Sequence, residues 1–435
     1  MSIKKVLGVA ASVLATSVFL TACGAGSQTS SSNSAVAACD FENPEQKTTV
    51  NVLAYNSSAI DPFTNSMVSS CTKDNLEVRH EPIDFAGQVQ RTQATLGTDN
   101  GTYDLIETYG FILPGLAEQD KVLPLNDLFE EYSDQYTLDQ ISSDLMERMS
   151  YDGQLLAVPM QAQAFTFVYR QDVFDELGLE VPTTFAEMEE SAQAIQESGK
   201  MQYPLALPFL SSSDLGTAYI AALGSLGKQY VDESTGRPNF DSPESKVALE
   251  SLKSLTQYMD PQVLTFDQPK VQQQLFNGQA AMAIMFSGRM VDLLDTNQTN
   301  LSEQFAFSAP PSVEAGGKLY SQVSIDGWSI PKNTKLDPDL LFNLIGASVS
   351  EEASKESIPA AYPAREGIAN SENMPYAVAV EESISGAPEP QIVPWAADMS
   401  NETINVLAQI ISGQKQVDPG MAEMQQIAEG VMEKY

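Results

Sequence analysis

The chain has 435 residues, 43% of them apolar, with 58 acidic against 23 basic side chains and a formal charge of −35. That length exceeds what one hydrophobic core usually spans, so two lobes are expected. The charge excludes the basic footprint of a nucleic-acid binder and disfavours adhesion to an anionic membrane through surface charge; it serves solubility, or a cationic ligand.

Met1 to Ala22 reads as a targeting segment, with Lys4 and Lys5 as its positive start and Val6 to Leu20 as its apolar run. The run is shorter than the roughly twenty residues that a spanning helix needs. It ends Leu20-Thr21-Ala22-Cys23-Gly24, which resembles a bacterial lipobox. That resemblance implies lipidation of Cys23; an ordinary signal peptide cut nearby is the alternative. Residues 23–38 follow as a flexible tether rich in Ser, Gly, Asn and Ala. Exported context permits a disulfide. Cys39 precedes the first strand and Cys71 ends the first helix, so a bridge is expected between them, against the alternative of two buried thiols.

Thr49 to Tyr55 alternates as a strand. Asp61 is expected to cap a helix that carries Pro62 early and turns Phe63, Met67 and Cys71 to one face. Leu76 to His80 is a second strand, Gly87 to Leu96 a helix, and Tyr103 to Glu107 a third strand. This alternation implies a parallel sheet with right-handed crossovers, whose ligands bind beyond the carboxyl ends of the strands. Tyr55, Asn56, Glu107, Thr108 and Tyr109 are therefore candidates. Asn126 is expected to cap the next helix. Asp152-Gly153 is a turn signal. Leu155 to Val158 is a strand that Pro159 should stop; a second starts near Phe165, as if the backbone changes lobes between them. Thr184 to Glu187 is a capping box. Asp232 to Gly236 is a hairpin turn, because the later ligands of a calcium loop are missing. Phe305 to Ala309 is expected to re-enter the first lobe. Two amphipathic helices end the chain, with Ile404, Leu407 and Ile411 on one face and Met424, Ile427 and Val431 on another.

Four stretches carry a resemblance. They are Asp152 to Phe174 with Leu177 to Phe185 after it, Leu275 to Ile284 with Phe286-Ser287-Gly288-Arg289, Ser324 to Lys332, and Tyr362-Pro363-Ala364-Arg365. Together they resemble the sugar-type extracellular solute-binding proteins of ABC importers, the maltose-binding-protein-like family 1. Met290 stands where many relatives carry Trp. The resemblance implies an α/β fold of two periplasmic-binding-protein-like lobes, each a mostly parallel sheet flanked by helices, with three inter-lobe crossovers. The expected division is residues 39–160 and 304–355 for the first lobe, and 161–303 and 356–435 for the second.

Little else offers chemistry. His80 stands alone, so a multi-histidine metal site is excluded, and neither a phosphate loop nor a dinucleotide fingerprint is present. Carboxylates are plentiful, but no spacing nominates a glycosidase pair. A sugar cleft needs aromatic faces and a polar fringe. Tyr55, Tyr109, Phe165, Phe286, Trp328, Tyr362 and Trp395 supply the first; Asn56, Glu107, Gln161, Gln163, Arg289, Asp326 and Arg365 supply the second. The expectation is a monomeric, lipid-anchored receptor on the extracytoplasmic face of the cell membrane. It would use no cofactor and no metal, and would deliver a carbohydrate to the transmembrane subunits of an ABC permease. A polyamine, phosphorylated polyol or peptide ligand on the same fold, and a secreted glycan hydrolase, are the alternatives.

Overall fold

The structure, a computed structural model, describes residues 37–435. The targeting segment, Cys23 and residues 24–36 of the tether lie outside the described residues. Cys39 and Cys71 are joined by a disulfide, with Cα atoms 5.2 Å apart.

Among the described residues, nine strands form one mixed sheet. In chain order they are β1 (Thr48–Leu53), β2 (Leu76–His80), β3 (Leu105–Tyr109), β4 (Val158–Arg170), β5 (Leu205–Ala206), β6 (Met282–Phe286), β7 (Phe305–Ser308), β8 (Val323–Ser329) and β9 (Tyr362–Pro363). They lie in the order β2-β1-β3-β8-β4-β6-β5, with β7 and β9 also paired to β4. Strands β1, β2 and β3 are parallel, linked by α1 (Asp61–Cys71) and α2 (Phe85–Leu96). Two cores flank the sheet. One gathers Val50, Phe63, Leu105, Trp328 and Phe342. The other gathers Phe167, Phe174, Tyr219, Leu249, Leu407 and Met424, with a smaller cluster around Val168 and Met285 beside it. The fold is thus the two-lobed α/β arrangement that the chain length and the family resemblance imply.

The strand β4 is the axis of both lobes. All thirteen of its residues are buried. Its first half pairs with β8, from Val158 to Ala164, and its second half with β6 and β7. Pro159 was expected to end this strand, and it does not. It sits where the register slips, with Gln161 opposite Asp326 but Pro159 opposite Gly327. An irregular pairing tolerates the missing N–H.

Four other expectations are corrected. Asp61 is the first residue of α1, not its cap, and its carboxylate takes the Asn56 amide instead. Asn126 likewise begins its helix, and its side chain bonds Gly153 and Leu155. Phe305–Ser308 does not re-enter the first lobe: it pairs with the far half of β4, and Val313 and Tyr320 still pack in the second core. The return falls at β8. The third crossing is not a clean break at residue 356: Ile358 and Tyr362 already pack against the second-lobe cluster that holds Met374, while Ala361 and Ala364 still belong to the first core. The Thr184 capping box and the hairpin around Asp232 form as expected.

Candidate functional site

The carboxyl ends of β1 and β3 meet the middle of β4 and the start of β8, and a buried polar cluster fills the junction. Glu107, Gln161 and Asp326 are at most 1% exposed, and Gln163 and Tyr55 are nearly as buried. Gln161 and Gln163 both donate their amide N–H to Asp326 Oδ2, the second at 3.0 Å. Gln163 also reaches the Tyr55 hydroxyl at 3.4 Å. The Tyr55 backbone N–H donates to Glu107 Oε2 at 3.0 Å. Gln88 of α2 donates to the Glu107 carbonyl and accepts from the Tyr109 hydroxyl. Two acceptors, Glu107 Oε1 and Gln161 Oε1, are buried without a protein donor. Such oxygens are the places where a ligand hydroxyl would gain most.

Burial pushes Asp326 up to about 6, while its hydrogen bonds from Gln163 and Gln161 pull the other way. Glu107 is raised well above the carboxylate range by burial and then by the Asp326 charge. Asp61, on α1 nearby, is raised to about 6, again chiefly by burial. A raised carboxyl favours the folded state when protonated, so its contribution is lost as pH rises through the folded value. Asp214, also raised by burial, acts in the same sense; His80, buried and lowered, acts in the opposite sense but is one group against four. The urea midpoint is therefore expected to be higher at about pH 5 than at about pH 7; a lower midpoint at the acid end would refute this reading of the cluster.

The first lobe adds four rings around the cluster's edge. Tyr55, Phe85, Tyr109 and Phe111 form one chain of contacts at centroid separations of 5.5–6.5 Å, Tyr109 and Phe111 being stacked. Phe85 and Phe111 are 44% and 54% exposed. Sequence reasoning missed both. Phe111 lies two residues beyond Tyr109, so the strand-end rule could have reached it; Phe85 opens a helix and gave no signal.

Across the cleft stands the loop after β6. Ser58 donates to Asp292 at 2.7 Å. Gly288 lies against Ala59 and Gln163: a Cβ there would sit 3.0 Å from the Ala59 Cβ and 2.4 Å from Gln163 Oε1. Half-buried Arg289 acts on Tyr55 through its charge. Arg148 reaches Glu389 at 3.5 Å, and Gly115 faces the Pro394 carbonyl. The lobes are in contact at all these points. Gly288→Ala should hold them apart and weaken ligand binding by roughly tenfold, with little effect on the melting point. Calorimetric titration of the variant checks this; unchanged affinity would remove Gly288 from the closure contact.

The remaining candidates make other contacts. Trp328 is fully buried in the first core, its indole N–H donating to Ser348 Oγ at 3.0 Å. Arg365 is a strut, its guanidinium bonded to the carbonyls of Tyr136, Thr137 and Val349. Phe165 is buried against Phe286 and Tyr320. Asn56 holds its loop, joining Asp61 and the Ile83 N–H. Tyr362 and Arg365 line a separate cavity of about 260 Å³. Trp395 packs half-buried on the second core, next to Pro394.

A family profile described as bacterial extracellular solute-binding protein matches residues 71–352, well over half the chain. The chain belongs to that family. It is 26% identical over 227 residues to a mannitol-binding protein of Pseudomonas aeruginosa, covering 51% of each chain. It is 24% identical over 186 residues to a probable amino-acid ABC transporter periplasmic-binding protein of Sinorhizobium fredii, covering 42% of this chain and 40% of the relative. The matched stretch thus spans about half or less of these curated relatives. A solute-binding protein of Agrobacterium radiobacter, solved in complex with ribitol, superposes with a TM-score of 0.79 at 19% identity, over 89% of this chain and 100% of that one.

Proposed function

We propose that this chain is the receptor of an ABC importer, taking a neutral sugar or polyol between its lobes and delivering it unaltered to the permease. The observation that carries the reading is the buried amide–carboxyl cluster at the strand ends, with orphaned acceptors inside and exposed rings outside. Hydroxyl groups satisfy acceptors such as Gln161 Oε1, and sugar C–H faces cover rings such as Phe111. Tyr55, Gln161, Gln163, Arg289 and Asp326 form the contact set, with Tyr109, Phe85 and Phe111 as the apolar wall. The mannitol and ribitol in the names of the similar proteins support this ligand class. Hinge bending at β4, β8 and the segment after Arg365 closes the lobes, and ligand binding supplies the differential free energy. Lipidation of Cys23 anchors the receptor on the extracytoplasmic face of the membrane.

A hydrolase is disfavoured by geometry. Glycosidase carboxyls stand roughly 5 Å or more apart to flank the bond, whereas Glu107 and Asp326 are both buried and close enough for the charge of one to raise the other. A thermal-shift screen of residues 37–435 against ribitol, mannitol, maltose and neutral amino acids tests the reading, since a bound ligand raises the melting point by mass action. A shift with a sugar or polyol is expected; a shift confined to amino acids would overturn it.

A further inference from the structure

No donor beside the acidic pair reaches Glu107 Oε1. Asp326 takes the amides of Gln161 and Gln163, Glu107 Oε2 takes the Tyr55 N–H, and Gln88 serves the Glu107 carbonyl. Glu107 Oε1 remains, fully buried and without a donor, beside a second carboxyl group. An unpaired buried acceptor is costly, and two ionised carboxyls in contact more so. One proton relieves both. Asp326, which accepts two amide bonds, is the better site for the charge; Glu107, with a single backbone donor, is the better site for the proton.

We propose that Glu107 is a positioning residue that works as a carboxylic acid: its O–H donates to Asp326 and holds Asp326, Gln161 and Gln163 in the arrangement that receives the ligand. The inference rests on the ligand reading above. It changes the part given to Glu107, from a group that touches ligand to one that acts through its neighbour.

The position of the pair gives this proton leverage. Glu107 belongs to β3, Asp326 to β8, and Gln161 and Gln163 to β4, and the last two strands carry the chain between lobes. Other groups facing the pair are Tyr55 at the end of β1, Asp61 on α1, Gln88 on α2 and Tyr109 on β3. Arg289, after β6, acts through Tyr55. Both phenols are held neutral by burial and by the neighbouring carboxylates. Asp61 adds negative charge and so strengthens the hold on the proton. When the proton leaves at alkaline pH, two like charges face each other across the hinge strands, and Asp326 can no longer keep its place.

The test compares the parent with Glu107→Gln, whose amide N–H can donate to Asp326 at any pH. Mannitol, ribitol and maltose are the probes, titrated by calorimetry. For the probe that binds, parent affinity should fall by at least about tenfold between about pH 6 and pH 9, while the variant's changes by less than about twofold. A merely structural Glu107 would leave the two pH profiles parallel, and that result overturns the inference. Infrared difference spectroscopy of the ligand-free parent gives a second reading that needs no ligand. At about pH 8, above the titration of Asp61 and Asp326, a protonated-carboxyl band should be present; its absence also overturns the inference. If no probe binds, the ligand reading fails, and the infrared band, expected to be lost in Glu107→Gln, still decides whether Glu107 holds the proton.

Discussion

Asp326→Ala is expected to weaken ligand binding at least about a hundredfold, roughly 2.7 kcal/mol. Asp326 fastens the amides of Gln161 and Gln163, and Gln163 in turn meets Tyr55. Removing the carboxylate leaves the buried Gln161 amide unpaired and Gln163 with only its long bond to Tyr55, and frees both side chains to rotate. An unpaired donor costs about 1–3 kcal/mol, and the loss falls on the face that a ligand would use. The measurement is a calorimetric titration with the sugar or polyol that gives the largest thermal shift, after circular dichroism has shown the variant folded. An affinity within a few fold of the parent would take Asp326 out of the site.

Trp328→Ala should act on stability instead. The sequence puts Trp328 two residues from Asp326, at the start of a strand expected near the cleft, and so nominates its ring as a sugar platform. In the structure that ring fills the first core, fully buried, and its N–H is satisfied by Ser348, which bonds the Phe63 carbonyl in turn. Truncating a buried aromatic of this size costs about 3–5 kcal/mol. The urea midpoint should fall accordingly. A variant with the parent's midpoint but no ligand response would return Trp328 to the cleft.

These two residues show what could be read from the chain beforehand. The hydrophobic alternation of β1 to β3 and the capping box at Thr184 announce elements that local chemistry dictates, while the two-lobed fold follows from the family resemblance of stretches such as Leu275 to Ile284. Strand ends also follow from alternation, so Tyr55, Glu107 and Tyr109 were within reach. The direction of Trp328 was not, because it depends on the register slip at Asp326 and Gly327 and on the helix at Pro338–Ser348 that packs over it. Pro159 misled for the same reason: its cost as a strand breaker depends on what lies opposite. Arg365 had the right composition for a ligand clamp, but it is bound by three carbonyls of its own lobe. Such contacts between distant segments leave no local trace.

Two lobes, hinged on β4 and β8, are expected to close over a sugar or polyol. Small-angle X-ray scattering of residues 37–435, with and without the probe that most raises the melting point, measures this most directly. A smaller radius of gyration is expected in the presence of that probe, and less contraction for Gly288→Ala. Identical scattering curves at saturating probe would contradict it.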